Sequence, residues 1–423
     1  MSLGKRTPKY SVIIPSYNGI RYVPTCIQSI LEQECEDFEL IISDDHSVDG
    51  TKDFLRTLHD KRVVLIEPRE SLSMTEHWEW ALSHARGEWC IFVGQDDGLQ
   101  PYFFQLSDRL TQAAQEKGLR AIMSSRAYFF WEGCEYIYGD NAVTYQAKNK
   151  VSVLNARWEA FKALIGWQNY FELPQMYTTS LFHRDLLLEA RQRQAGRVFL
   201  CHPQDANLAV VACSLERRYL KSYVPLGWVG SSPKSAGMAI AGNVEGARKD
   251  DQEEIDSLRR DYLKKISSSG MQYHELAGAF SLNSPALYFW QAFLQTPYLR
   301  SDRINAWILS NPFRYVLFAT VLMQIKSERG EEGEKNRRLQ WFGDMVNTNS
   351  CSIRGVRSLC ALLSVAGFLF WPMDMLRRVA GKVWRSLDFS SVRYVRKRSD
   401  YDCVNMEASS AEITNLVRQR GWL

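Results

Sequence analysis

Through the first 130 residues, short apolar runs alternate with stretches of helical spacing. Ser11–Ile14 is apolar and closed by Pro15, as a buried strand would be. Val23, Ile27, Ile30 and Leu31 then recur at the spacing of one helix face. Phe38–Ser43 reads as a second strand, Thr51–Leu58 as a short helix and Arg62–Ile66 as a third strand. Met74, Trp78, Ala81, Leu82 and Ala85 carry the next helical stripe, with Gly87 placed where that helix should stop. Trp89–Val93 is a fourth strand, running into Gly94-Gln95-Asp96-Asp97-Gly98. Near-continuous apolar strands separated by helices predict an α/β fold on a parallel-rich sheet.

Further on the pattern loosens. Ala121–Ser124, Gln175–Phe182 and Arg218–Val224 read as strands. Helices are expected over Val153–Ile165, Arg184–Gln192 and Asp205–Cys213, and Gly227–Gly237 as a loop rich in Gly and Ser. Beyond 240, Ile255, Leu258, Tyr262, Leu263 and Ile266 mark an amphipathic helix and strand signals fade. Residues 325–340 are charge-dense and interrupted by Gly, as a linker or exposed helix end would be. The expected organisation is a site-bearing domain over 1–240, a helical extension over 241–345 and a basic amphipathic region over 346–423.

Composition narrows the class. With 423 residues, 45% hydrophobic and 24% charged, the chain is neither disordered, collagen-like nor a polytopic membrane protein. Nine cysteines, an odd number with no CxxC pair, form neither a disulfide framework nor a zinc site and favour a reducing compartment. No long apolar run opens the chain, so no secretory signal is expected.

Net charge is +4, but residues 351–400 alone carry +7, leaving −3 for the rest. Within that window Ser358–Met373 has no charged residue and is flanked by Arg354, Arg357, Arg377 and Arg378. It is shorter than a spanning helix needs. It reads either as a buried core helix or as an interfacial helix with basic residues over anionic lipid. The expectation is a cytoplasmic protein, peripheral on the inner face of the cell membrane. Nothing in the body signals a nucleic-acid-binding fold.

Four motifs sit at the ends of strands or openings of helices, where α/β sheets build their sites. They are Pro15-Ser16-Tyr17-Asn18-Gly19, then Ser43 to Thr51 (SDDHSVDGT), then Gln95-Asp96-Asp97-Gly98, then His202-Pro203-Gln204-Asp205. Alone, an acidic pair after a strand is commonly a cap or a solvated turn. Two such pairs at one sheet edge crowd carboxylates, which a hard divalent cation, Mn²⁺ or Mg²⁺, would compensate together with substrate phosphates.

These motifs resemble those of the family 2 inverting glycosyltransferases, which have the GT-A type, Rossmann-like mixed sheet. The matching text is SVIIPSYNG from Ser11, FELIISDDHSVDGT from Phe38, ARGEWCIFVGQDDGLQP from Ala85 and HPQDANLAV from His202. It departs from the family at Gln95, where an Asp-x-Asp would begin, at His46 in the usual Asp-Gly-Ser turn, at 74–78 where Ala-Arg-Asn is common, and at Gln204 in place of Glu.

The resemblance implies transfer from a nucleotide-diphosphate sugar, with UDP favoured and dTDP or GDP open. It implies Pro15, Tyr17 and Asn18 lining the nucleoside and Asp45 accepting the imino proton of the base. Asp96 would hold ribose, Asp97 a Mn²⁺ or Mg²⁺ ion, and Asp205 would act as general base. The bland reading of Asp205 is a helix cap. Lys234 in the Gly/Ser-rich segment would close over the diphosphate, or lie on an inert surface loop. His202, Arg69, His46 and His77 read as local residues.

Neither the Q-x-x-R-W motif nor the spanning helices of the processive synthases in this family is found, so the resemblance implies transfer of a single sugar. The basic C-terminal part suggests a lipid-linked glycan acceptor, as in surface polysaccharide assembly. The alternatives are a nucleotidyltransferase, which would carry a Gly-rich phosphate loop after the first strand, and a non-catalytic nucleotide-sugar-binding protein.

Overall fold

The computed structural model describes residues 7–164, 168–194, 196–200, 203–235, 352–362, 391–400 and 404–422, with isolated helical positions between 289 and 346. Strand β1 (Tyr10–Ser16) is apolar on both faces and nearly all buried, which suits only the middle of a sheet covered on both sides. It pairs in parallel with β2 (Phe38–Asp44) and β4 (Trp89–Phe92), and β2 pairs in parallel with β3 (Val63–Ile66) at the sheet edge.

Beyond β4 the direction alternates. Strand β10 (Ser180–His183) runs antiparallel to both β4 and β6 (Ala121–Ser124). Next, β11 (Arg218–Ser222) is parallel to β6, and β9 (Val151–Asn155) is antiparallel to β11. The result is one mixed eight-stranded sheet, in the order β3-β2-β1-β4-β10-β6-β11-β9.

Alternation along β1 divides the core. Val12 and Ile14 face one apolar cluster, with Ile27 and Ile30 of helix α1 (Val23–Leu31). Ile13 faces the other, with Trp78 and Leu82 of α3 (Met74–Ser83). Each such fully buried side chain contributes about 1.5–3 kcal/mol. Between α1 and α3 lies the short α2 (Thr51–Arg56). The C-terminal ends of β1, β2 and β4 therefore open at one edge, free of the helices that cover the faces.

A second, five-stranded sheet stands beside that edge. Its order is β13 (Ser391–Lys397), β8 (Asn141–Lys148), β7 (Ala127–Phe130), β12 (Gly227–Ser231) and β5 (Gly98–Leu99). Helix α4 (Phe103–Gln115) follows β5, and α5 (Glu135–Tyr138) lies between β7 and β8.

Two sequence expectations change here. The Gly-rich stretch from Gly227 is a strand over its first five residues, and its glycines allow close approach. A Cβ on Gly230 would lie 1.8 Å from the Asp96 carbonyl oxygen. Likewise Val151–Asn155 is a strand, and the expected helix there begins later, as α6 (Ala156–Leu164).

The basic C-terminal segment also joins this body. Strand β13 pairs antiparallel with β8 along its length. The C-terminal helix Met406–Gln419 buries Met406, Ile413 and Val417 in the same cluster as α1, and its Ser410 hydroxyl accepts from the Trp228 indole at 2.7 Å. Of the basic residues in this segment, Arg396 is ion-paired with Glu412, and Arg398 with Glu135 at 2.7 Å. The expected helix at 255–266, most of 325–340, residues 363–373 of the apolar stretch, and His202 lie outside the described residues. No helix among the described residues is long and apolar enough to cross a membrane.

Candidate active site

At the open edge the first two motifs are zipped to each other. Asn18 and His46 both have positive φ, 48° and 59°, which Asn and His accept more readily than most residues. Bent this way, Asn18 receives its partners across the cleft. Its amide donates to the Ser47 hydroxyl at 2.8 Å, and its Oδ1 accepts from the Val48 amide at 2.9 Å. The Gly19 amide donates to Thr51 Oγ1 at 2.9 Å. Asn18 thus builds the loop that the sequence reading has it line.

The acid pair of the second motif splits. Both carboxylate oxygens of Asp45 accept from the chain after β3, from the Leu72 amide at 3.0 Å and the Ser71 hydroxyl at 3.2 Å. Its neighbour Asp44 takes the Ser47 amide on one oxygen, while Oδ1 is buried with no hydrogen-bond partner.

The third motif is tied to the first by Gln95. Its Oε1 accepts from the Ser16 hydroxyl and the Tyr17 amide, both at 3.0 Å, and its Nε2 donates to the Tyr17 carbonyl at 3.2 Å. A side-chain amide matches both the backbone donor and the backbone acceptor of one residue. The departure at Gln95 is therefore a clamp between two loops. The clamp passes over Gly19, where a Cβ would stand 2.3 Å from Gln95 Oε1. Gln95→Glu removes the donated bond and sets a charge against the Tyr17 carbonyl. It should destabilise the fold by about 1 kcal/mol, read by thermal unfolding. An unchanged melting temperature would mean that the clamp does not hold the two loops.

Asp96 and Asp97 differ in surroundings. Asp97 is buried, its two oxygens accepting from the Gly94 and Gly230 amides at 2.7 Å each. Burial, reinforced by the charge of Asp96, pushes its carboxyl up to about 8. Asp96 is partly exposed, with one oxygen on the Ser232 hydroxyl at 2.7 Å. Its carboxyl is also raised, chiefly by desolvation. Two neighbouring carboxylates, one of them buried, fit a hard cation, whose charge would offset theirs. Among the described residues no group of three or more His, Cys, Asp or Glu surrounds a single point.

Helix α8 (Gln204–Leu215) opens with Asp205 in its first turn, after α7 (Arg184–Arg193). Asp205 accepts from the Tyr170 hydroxyl at 2.9 Å and from the Ala206 amide at 2.8 Å. Desolvation raises its carboxyl, and the Tyr170 bond and the Arg126 charge work against that rise. Tyr170 is itself stacked on Phe289, ring centroids 5.9 Å apart.

Tyr177 lies against the fourth motif. Its hydroxyl accepts from Gln204 Nε2 at 3.3 Å, and its phenol is held up by burial and by the charges of Asp205, Asp97 and Asp96. It and Thr178 have φ of 66° and 58°, strained for a β-branched Thr in particular. The expected strand Gln175–Phe182 is for this reason a tight turn up to Thr179, with a strand only from Ser180. Lys234 reaches back over the edge, donating to the Asn18 carbonyl at 3.0 Å.

Sequence reasoning missed Arg126, Tyr170, Tyr177 and Ser232. Arg126 had one signal, a lone basic residue at the end of an apolar strand; the others had none.

Residues 11–184 match the family description Glycosyl transferase family 2. The chain carries a family 2 glycosyltransferase domain. That domain includes the first three motifs and stops short of Asp205. TuaG of Bacillus subtilis (strain 168), named for teichuronic acid biosynthesis, is 36% identical over 92 residues, 21% of this chain and 36% of TuaG. A PGL/p-HBAD biosynthesis glycosyltransferase of Mycobacterium tuberculosis (strain ATCC 25177 / H37Ra) is 33% identical over 96 residues, 22% and 37% of the two chains. The chain thus matches little more than a third of the length of these relatives. Among solved structures, S. aureus TarS 1–349 in complex with UDP-GlcNAc is similar at 17% identity and TM-score 0.42, covering 73% of this chain and 86% of that one.

Proposed function

We propose that the protein is an inverting glycosyltransferase that moves one sugar from a nucleotide-diphosphate sugar to a hydroxyl of a glycan acceptor. The observation that carries this reading is the meeting of the first three motifs at the ends of β1, β2 and β4, where Gln95 bonds to Ser16 and Tyr17, and Asn18 to Ser47 and Val48, beside Asp96 and Asp97, within the family match over residues 11–184. In direct displacement the acceptor oxygen attacks the anomeric carbon as the bond to the diphosphate breaks on the opposite face. Asp205 takes the acceptor proton. Its burial raises its basicity, and Tyr170 fixes one of its oxygens. Both glutamines at departures from the family are engaged, Gln95 as the clamp and Gln204 on Tyr177. Neither therefore argues for a chain that only binds.

Asp97, with Asp96 beside it, would face a Mn²⁺ or Mg²⁺ ion: its oxygens hold the Gly94 and Gly230 amides, and each keeps a further lone pair. The ion, when bound, would neutralise charge on the departing diphosphate. Nucleotide-sugar panels of UDP, GDP and dTDP types should raise the melting temperature in the presence of Mn²⁺ for one nucleotide class. Asp97→Asn should remove the Mn²⁺-dependent part of that rise. Stabilisation by none of the three classes overturns the reading.

The acceptor we favour is a lipid-linked oligosaccharide in surface polysaccharide assembly, met by a cytoplasmic enzyme peripheral at an anionic membrane. The support is the basic 351–400 segment, reduced by the two arginines already paired within the fold. Vesicles of phosphatidylglycerol should sediment the full chain at low salt and release it as salt rises. Equal recovery with phosphatidylcholine vesicles would sink this part.

A further inference from the structure

Arg126 follows β6 and is only partly exposed, and its Nε and Nη2 atoms are buried with no hydrogen-bond partner. The guanidinium lies over the Phe171 ring, 4.1 Å from its centroid. Buried guanidinium N–H groups normally find an acceptor, since leaving them bare is costly. Nε and one Nη form the edge of the fork that grips two oxygens of one acid.

The nearby carboxylates do not supply those oxygens. Asp205 is held by Tyr170 and the Ala206 amide, and Asp97 by the Gly94 and Gly230 amides. Arg126 nevertheless acts through space on both. It stacks on the residue that follows Tyr170, so its surroundings are those of the base. In an inverting displacement the diphosphate leaves from the face opposite the base, which makes the two sugars the groups nearest Arg126.

We propose that Arg126 receives a carboxylate or phosphate carried by one of the two sugars at the reaction centre, and so selects an acidic sugar substrate. The inference rests on the glycosyltransferase reading and adds a substrate class to it. The acid can sit on the transferred sugar or on the accepting one, and two arms separate these.

In the donor arm, dissociation constants for UDP-glucuronate and UDP-glucose are measured with Mn²⁺ on wild type, Arg126→Gln and Arg126→Lys. In the acceptor arm, the UDP-saturated protein is titrated with methyl glucuronide, glucose 6-phosphate and methyl glucoside. One arm should favour the acidic probe by roughly tenfold to a hundredfold in wild type. That ratio should fall to near one in Arg126→Gln and be partly kept in Arg126→Lys, which has the charge without the fork. Binding of UDP alone should change little.

A wild-type ratio near one in both arms overturns the proposal, and that measurement needs no variant. So does a preference that survives Arg126→Gln. Failure of UDP, GDP and dTDP to bind at all is a different result, which overturns the glycosyltransferase reading beneath it.

Discussion

Asp205→Asn should reduce turnover by about a thousandfold or more while leaving nucleotide affinity near that of wild type. The expectation follows from where Asp205 stands. It is a buried carboxylate at the start of α8, with one oxygen on a tyrosine hydroxyl and the other on a backbone amide. Asn keeps the shape and can still accept from Tyr170, so the fold should hold. What it lacks is a site for the acceptor proton.

The role of Tyr170 gives the same experiment a second readout. Its hydrogen bond lowers the Asp205 carboxyl against the rise caused by burial. Tyr170→Phe should therefore move the acid limb of the pH–rate profile upward, because a larger fraction of the base is protonated at a given pH. Rates should recover as the pH is raised, which distinguishes a shifted base from a damaged fold. A profile for Asp205→Asn that matches wild type in height would exclude Asp205 as the base.

Gly230→Ala should destabilise the protein by about 3 kcal/mol and abolish cation-dependent donor binding. An added Cβ would lie 1.8 Å from the Asp96 carbonyl oxygen, and that atom belongs to the backbone of the acidic turn. The same carbonyl accepts from the Trp131 indole at 2.8 Å, so it is held from the other side. The chain must move, and with it the Gly230 amide that holds Asp97 Oδ1. Thermal unfolding and Mn²⁺-dependent donor titration measure the two effects. A melting temperature within a degree of wild type would mean that β12 does not press on the acid pair.

Much of the first half was legible from local pattern. The apolar runs around Val12, Leu40 and Ile91 are buried on both faces, so composition alone marks them as inner strands. Val23, Ile27 and Ile30 mark α1 because one buried stripe repeats with the helical turn. Asp45, Asp96, Asp97 and Asp205 are legible as candidates because acids at strand and helix ends stand out against apolar neighbours.

Their individual tasks were less legible. Asp45 and Asp97 differ from Asp96 by which backbone amides reach them, and those amides come from Leu72, Gly94 and Gly230. The segment Ser391–Lys397 reads as a charged tail because only one face of the strand is apolar. Its partner β8 lies some 250 residues earlier in the chain.

By itself the sequence determined the alternating α/β framework, the family domain and the cluster of acids at its open edge, since these depend on periodicity and on short motifs. Only the tertiary structure decided that Gln95 is a clamp, that Gly230 makes room for the acidic turn, that Tyr170 is bonded to Asp205 with Arg126 stacked on the neighbouring Phe171, and that the C-terminal segment closes the second sheet. Those roles are set by hydrogen bonds and contacts between residues distant in the chain, and no local pattern of residue types encodes which distant backbone group will arrive.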